Sequence, residues 1–385
     1  MDYFLNEEQT MIRDLARQIA EEKIIPVRAE LDEKEEFPWE IMKSLAQSDF
    51  FGIFIPEEYG GLGRGGFELA VAVEELSRAC LAVATTYAAN ALGTYPILLY
   101  GSEAQKKKYL PDIAAGKRLV AFALTEAGAG SDAAGVQTTA QLDGSEYILN
   151  GTKQWITNGG EAEIYTVIAI TDKAKGARGA SAFIVEKGTP GFSFGKKENK
   201  MGIRASSTRE LIFENCRIPK ENIIAKAGTG FIIAMKTLDN TRTGVGAQGV
   251  GVAQGAFEAA ADYARERIQF GQPVISFQAV QHMLADMATQ IEAARALVYS
   301  VARYIDSGAK AVSKDSAMAK VFATDVAMKV TVDAVQIMGG SGYMREYPVE
   351  KMMRDAKILQ IYEGTNQIQR NIIGQALIKE TAKKK

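Results

Sequence analysis

The chain has 385 residues, of which 47% are apolar and 24% charged, and its formal net charge is −2. That length exceeds what one hydrophobic core commonly serves, so two or three subdomains are expected. Near-neutrality removes the electrostatic case for nucleic acid or an anionic membrane surface as a partner.

The N-terminus, MDYFLNEEQTMIRDLARQIA, is acidic and amphipathic, without the basic and apolar regions of a signal peptide. Leu5, Met11, Ile12, Leu15, Ile19 and Ile24 recur at helical spacing until Pro26 interrupts them. A second helix is expected around 38–49. Residues 50–66 read as a turn-rich connector, because their glycines lack the G-x-x-x-x-G-K-[ST] pattern of a phosphate loop. Two further helices are expected at 67–78 and 82–101, then a short one from Glu103.

From about 118 the period changes. LVAFALTE, YILNGTKQWITN, YTVIAITD, SAFIVEK and LIFENCRI are β-branched or aromatic runs separated by turn residues. They lie too close together for crossover helices, so a parallel dinucleotide-binding sheet is not indicated and an antiparallel barrel or sandwich fits better. After 228 long helical patterns return, in outline 230–268, 276–307, 312–338 and 347–378. The expected fold class is therefore α+β: a helical domain (1–115), a β-domain (116–226) and a helical-bundle domain (227–385).

Whole classes of chemistry drop out. Cys80 and Cys216 are far apart and form no zinc-ligand or C-x-x-C spacing, so neither a metal site nor a disulfide framework is expected. His282, the single histidine, sits in a helical stretch with no nucleophile motif, which reads as a satisfied helix residue. No apolar run is long enough to span a membrane, and the terminal AKKK carries no peroxisomal address. A bacterial or archaeal cytoplasm is the expected location.

One late stretch draws the rest together. In RDAKILQIYEGTNQIQR (354–370), Glu363 stands between an apolar approach and a glycine turn, after which a helical pattern restarts with Ile368, Ile372 and Ile373 on one face. A carboxyl at such a junction can face an enclosed cavity, where burial raises its pKa toward that of a general base. Taken alone, Y-E-G is also an ordinary loop glutamate. The longer string QIMGGSGYMREYPVEKMMRDAKILQIYEGTNQIQR (336–370), however, resembles the C-terminal signature of the acyl-CoA dehydrogenases, in which the glutamate of Y-E-G-T is the catalytic base of most members. The helical–β–helical order is similar to that family's architecture.

The resemblance implies FAD as cofactor. No side chain accepts hydride, and no G-x-G-x-x-G fingerprint opens a βα turn here. ALTEAGAGSD (123–132) resembles the family's flavin-contacting segment, which implies Phe122, Leu124 and Thr125 near the isoalloxazine and Ser131 near the flavin or the CoA phosphates. KQWITN (153–158) resembles its companion, with Trp155 and Thr157 against the flavin; by itself Trp155 reads equally as a β-core tryptophan. RERIQFG (265–271) is similar to the family's R-x-x-F-G, with Arg267 for a pyrophosphate and Phe270 by the adenosine, partly across a subunit interface. Gln278, Gln336 and Gly340 match further positions on that half, and Thr365 and Gln367 follow the base. The resemblance also implies a homotetramer, a dimer of dimers, that passes electrons to an electron-transfer flavoprotein.

For an acyl-CoA substrate, LDNTR (238–242) places Leu238, Asp239 and Arg242 on one helix; the bland alternative for the last two is a surface ion pair. Tyr362 and Gly364 flank the base, and its backbone N–H, with a ribityl hydroxyl, would hold the thioester oxygen. Isovaleryl- and long-chain-type members carry their base at the position of Thr241, here not an acid. Glutaryl-type members carry an arginine at a position aligned with Val83, and VATTYAANALGTY (83–95) has no basic residue. GAQGVGVAQ (246–254) resembles the short-chain, butyryl-type branch, with Gln248 as pocket floor. Tyr87 and Tyr95 would suit a branched or cyclic acyl group if they flanked the tail. A flavin oxidase on the same fold and a non-catalytic acyl-CoA-binding protein are the rival readings.

Overall fold

Asn6 starts the first helix. Its side chain accepts the Gln9 N–H while the Gln9 side chain reaches back to the Asn6 N–H, a reciprocal cap for α1 (Glu7–Ile19). The computed structural model describes residues 1 and 3–382. Before Pro26 the helix loosens into a π turn, Ala20–Ile24, and α2 (Arg28–Lys34) and α3 (Trp39–Gln47) follow. The connector holds only short 3₁₀ turns, Phe50–Gly52 and Glu57–Tyr59. α4 (Gly66–Ala79) is capped from a distance: the Asp306 carboxylate accepts the Gly66 and Phe67 N–H groups at 2.8 and 2.7 Å. α5 (Leu81–Tyr100) is apolar on nearly every side and buried almost throughout, and α6 (Glu103–Ala114) closes the block.

The β block contains β1 (Val120–Ala123), β2 (Thr139–Asp143), β3 (Glu146–Thr157), β4 (Ile164–Ile170), β5 (Ala180–Glu186), β6 (Phe192–Lys197), β7 (Thr208–Pro219) and β8 (Ile223–Ile224). They form one sheet in the order β6-β7-β3-β2-β4-β5-β8, with β1 also on β4. Most neighbours are antiparallel, as expected, but β4 runs parallel to β1 and, at Thr139–Ile170, to β2. The parallel pairing exists because the chain leaves the sheet after β1 in a long excursion, 124–138, and re-enters through the β2–β3 hairpin. That excursion carries the loop that later lines the site.

The helical block returns with α7 (Gly230–Glu266), a small hairpin of β9 (Ile268–Gln269) and β10 (Gln272–Pro273), α8 (Gln278–Asp306) and α9 (Ser313–Met338). α7 packs against α4, α5, α8 and α9. Its glycines permit this: a Cβ at Gly251 would run into the Glu74 carbonyl of α4. The outline helix 347–378 is three pieces: α10 (Val349–Ala356), a 3₁₀ turn (Lys357–Gln360) and, after an irregular turn, α11 (Asn366–Ala382). The expected break falls where φ turns positive, +51° at Glu363 and +90° at Gly364. Among the described residues no helix is long and apolar enough to cross a membrane. From residue 383 onward, the AKKK tail lies outside the described residues.

Candidate active site

Two cavities meet at the turn between the 3₁₀ segment and α11. One, of about 550 Å³, lies between α5, the 124–134 loop, β3, α7 and α11; the other, of about 640 Å³, lies between β3, the 198–203 loop and residues 354–365. Both are lined by Thr125, Ser131, Trp155, Thr157, Tyr362, Glu363 and Gly364. Glu363 thus stands at their junction.

Its placement follows from the local backbone. Gly364 takes φ +90°, and a Cβ there would lie 2.7 Å from Gln369 Nε2, so the turn admits only glycine. Gln369 Nε2 donates to the carbonyls of Glu363 (3.0 Å) and Gly364 (2.9 Å), and Lys320 Nζ donates to Gly364 O at 2.8 Å. Thr241 Oγ1 donates to Glu363 Oε2 at 2.7 Å. Position 241 therefore faces Glu363, and a hydroxyl stands there. Burial pushes the Glu363 pKa above the ordinary carboxylate value; the Thr241 hydroxyl and the cations Arg242 and Lys320 pull it back only in part.

Trp155 owes its direction to a β-bulge. The β3–β7 register shifts between Lys153 and Ile156, Trp155 takes φ +56°, and its ring stays 56% exposed toward both cavities. It is therefore a wall of the cavities, not a core tryptophan. The bulge is pinned from inside: Lys153 Nζ, with no exposed surface, donates to Leu124 O (2.9 Å) and Glu126 Oε1 (2.8 Å). Glu126 also accepts the Gln137 and Thr138 N–H groups. Phe122, Leu124, Thr125 and Thr157 line the 550 Å³ cavity beside it.

Part of that cavity's wall is polar. Tyr362 OH donates to Gln248 Oε1 (2.6 Å), and Gln248 Nε2 donates to Thr85 Oγ1 (3.3 Å). Leu238 and Arg242 line the same cavity. Asp239 does not: it is 5% exposed, paired with Arg242 at 2.8 Å and bonded by Ser313 Oγ at 2.5 Å. With Arg242 only 3% exposed, this is a buried pair, contrary to the surface alternative. The face of α5 also needs correction. Thr85, Ala88, Ala89 and Leu92 meet the cavity, whereas Val83, Tyr87 and Tyr95 turn into the core, Tyr87 bonding Phe50 O and Tyr95 stacking on Phe54. No basic residue stands on either face.

Thr365 lines the larger cavity. Arg267, Phe270, Gln278, Gln336, Gly340 and Gln367 line neither; all are exposed, Phe270 by 93% at the tip of the β9–β10 hairpin. His282 is exposed on α8 and takes no part. Sequence reading missed Thr85, the Lys153–Glu126 pair and Lys320. The last had a signal: Lys320 falls among Ser316, Ala317, Ala323, Thr324 and Ala327, all buried, so a cation occupies a core stripe of α9.

Comparison with known proteins accounts for nearly the whole chain. Profiles described as acyl-CoA dehydrogenase N-terminal, middle and C-terminal domains match residues 6–117, 121–216 and 228–378. The butyryl-CoA dehydrogenase structure from Megasphaera elsdenii is 48% identical, with TM-score 0.96, covering 98% of this chain and 100% of that one. A chain of the structure described as "Electron transferring flavoprotein of Acidaminococcus fermentans: Towards a mechanism of flavin-based electron bifurcation" is 53% identical, with TM-score 0.96, covering 98% and 99%. Acryloyl-CoA reductase (NADH) of Anaerotignum propionicum is 49% identical over 98% of this chain and 96% of its own length. With a glutamate held at the meeting of two cavities and matches along three consecutive segments, the chain belongs to the acyl-CoA dehydrogenase family, oxidoreductases acting on the CH–CH bond of acyl-CoA.

Proposed function

We propose that this protein desaturates a short-chain, butyryl-like acyl-CoA to the trans-2-enoyl-CoA, with Glu363 as the base and an electron-transfer flavoprotein as electron acceptor. The observation that carries the reading is the Glu363 carboxylate at the junction of the two cavities, bonded by Thr241.

The family is FAD-dependent, and FAD when bound supplies the hydride acceptor for the β carbon. The residues present suit it. Trp155, Ile358 and Ile361 offer flat or apolar surface in the 640 Å³ cavity, and Thr125, Ser131 and Thr157 offer hydroxyls to a polar ring edge. On the protein side, Thr241 engages Oε2 and leaves Oε1 of Glu363 to take the α-proton. The Glu363 backbone N–H has no acceptor among the described residues and is available to the thioester oxygen as charge develops there. Raised by burial, the carboxyl is a stronger base than a solvated glutamate once ionised.

Support for a short chain comes from the Thr85–Gln248–Tyr362 floor. Beside Gln248 the void that also touches Thr241, Leu69, Val73 and Val245 is only about 20 Å³, room for a water. Likeness to the chain of the Acidaminococcus structure supports the electron partner. Exposure of Arg267, Phe270, Gln278, Gln336 and Gly340 on a single chain supports a homotetramer whose neighbouring subunits cover them, in a bacterial or archaeal cytoplasm. The acryloyl-CoA reductase relative supports one second reading, the same site run toward saturation on a C3 enoyl-CoA.

Anaerobic mixing with C4, C6, C8, isobutyryl, isovaleryl, glutaryl and cyclohexane-carboxyl thioesters of CoA ranks the substrates by flavin bleaching, and acryloyl-CoA added to the reduced protein tests the second reading. Glu363→Gln should keep its flavin yet lose bleaching by butyryl-CoA by about 10³-fold or more. Bleaching retained at the wild-type rate removes Glu363 from the role.

A further inference from the structure

Behind the active-site turn lies a cation that the reaction described above does not use. Lys320, on α9, has no exposed surface. Its Nζ donates to Gly364 O and to Asn366 Oδ1, both at 2.8 Å. Asn366 is itself fixed, donating to Thr324 Oγ1 (2.9 Å) and Asp325 Oδ1 (2.7 Å). No carboxylate among the described residues forms an ion pair with Lys320. A buried ammonium without a counter-ion is costly, and an amide could supply the same two hydrogen bonds at less cost.

What an amide lacks is the charge. Of the carboxylates acting on Lys320, Glu363 acts most strongly, and Lys320 is in turn one of two cations acting on Glu363, with Arg242 of α7 the other. Asp325 of α9 also faces it but is already bonded to Arg370 of α11 at 2.6 Å. The turn has a mechanical need as well. A non-glycine residue at φ +51° followed by φ +90° is held only where its surroundings over-determine it, and its two carbonyls take three donors, two from Gln369 and one from Lys320.

We propose that Lys320 is a positioning residue for the base: it grips Gly364 and Asn366 from behind so that Glu363 points into the cavity junction, and its charge favours the ionised carboxylate. The inference rests on Glu363 being the base. Burial lowers the Lys320 pKa to about 7. A neutral amine still donates, so above that pH the turn stays held while the field at Glu363 fades.

The test compares holoenzyme carrying Lys320→Met, which loses charge and donors, with Lys320→Gln, which loses charge alone. The protonated Glu363 carboxyl is titrated by its infrared C=O band, assigned by the band's absence in Glu363→Gln, with no turnover involved. Both Lys320 variants should move that titration upward by about one pH unit. Butyryl-CoA bleaching near about pH 6 should fall about tenfold, and the deficit should narrow near about pH 9 in Lys320→Gln but persist in Lys320→Met, whose turn is loose. A folded, flavin-loaded Lys320→Gln with the wild-type titration and pH profile overturns the proposal; should Lys320→Met not fold, Lys320→Gln alone decides. Loss of the base assignment is read separately, as bleaching that survives in Glu363→Gln.

Discussion

Glu363 is held in a state that opposes its own ionisation. Because burial raises its folded-state pKa, the folded chain binds that proton more tightly than the unfolded chain. The stability this contributes is complete below the unfolded value of about 4.3 and is lost as pH rises through the folded value. Glu363→Gln should therefore melt above wild type at about pH 7 to 8, and calorimetry should find the gap closing by about pH 4. A second residue-scale prediction concerns Gln248, which lines the cavity. Gln248→Ala removes the partner of Tyr362 and Thr85 and opens volume, so bleaching rates should shift toward C6 and C8 thioesters by about 10-fold per methylene accommodated. Glu363 was legible from its neighbours in the chain, an apolar approach and a glycine. Thr85 and Lys153 were not, because each acts through a group distant in sequence: Tyr362 and Gln248 for one, Glu126 for the other.

Elements differ in how much their pattern reveals. α5 shows the limit: it is buried almost all round, so hydrophobic periodicity distinguishes no face, and only the fold shows that Thr85, Ala88, Ala89 and Leu92 line the cavity while Val83, Tyr87 and Tyr95 turn inward. Strands β2 and β6 went unread for the opposite reason. β2 buries one residue of five, and β6 ends in Gly195, Lys196 and Lys197, so neither shows a continuous apolar face. In α7, what matters is close approach, not the apolar stripe. Gly251→Ala should force α4 and α7 apart and cost about 1–3 kcal/mol or more in urea unfolding, without touching a cavity-lining residue.

At the scale of the molecule, one set of motif residues stands apart from the cavities. Arg267, Phe270, Gln278, Gln336 and Gly340 are exposed on the chain taken singly, and Phe270 presents almost its whole ring. In the proposed tetramer a neighbouring subunit covers that surface. Phe270→Ser should then weaken both assembly and FAD retention, seen as smaller species in sedimentation velocity and as faster flavin loss on dilution, by about 2–4 kcal/mol for an aromatic ring withdrawn from an interface. An unchanged tetramer with unchanged flavin retention would remove Phe270 from that interface.

The amino-acid order alone determined the succession of helical, β and helical blocks, because the apolar period shifts from helical to strand spacing and back, and local spacing needs no partner to be read. It also determined the break after Glu363, since glycine there is a local backbone requirement. Tertiary structure decided which face of a nearly buried helix meets the cavity, which way the bulged Trp155 points, and that a lysine of α9 sits behind the Glu363–Gly364 turn. Each of those depends on the atoms that another segment brings alongside, and no periodicity within one segment encodes them.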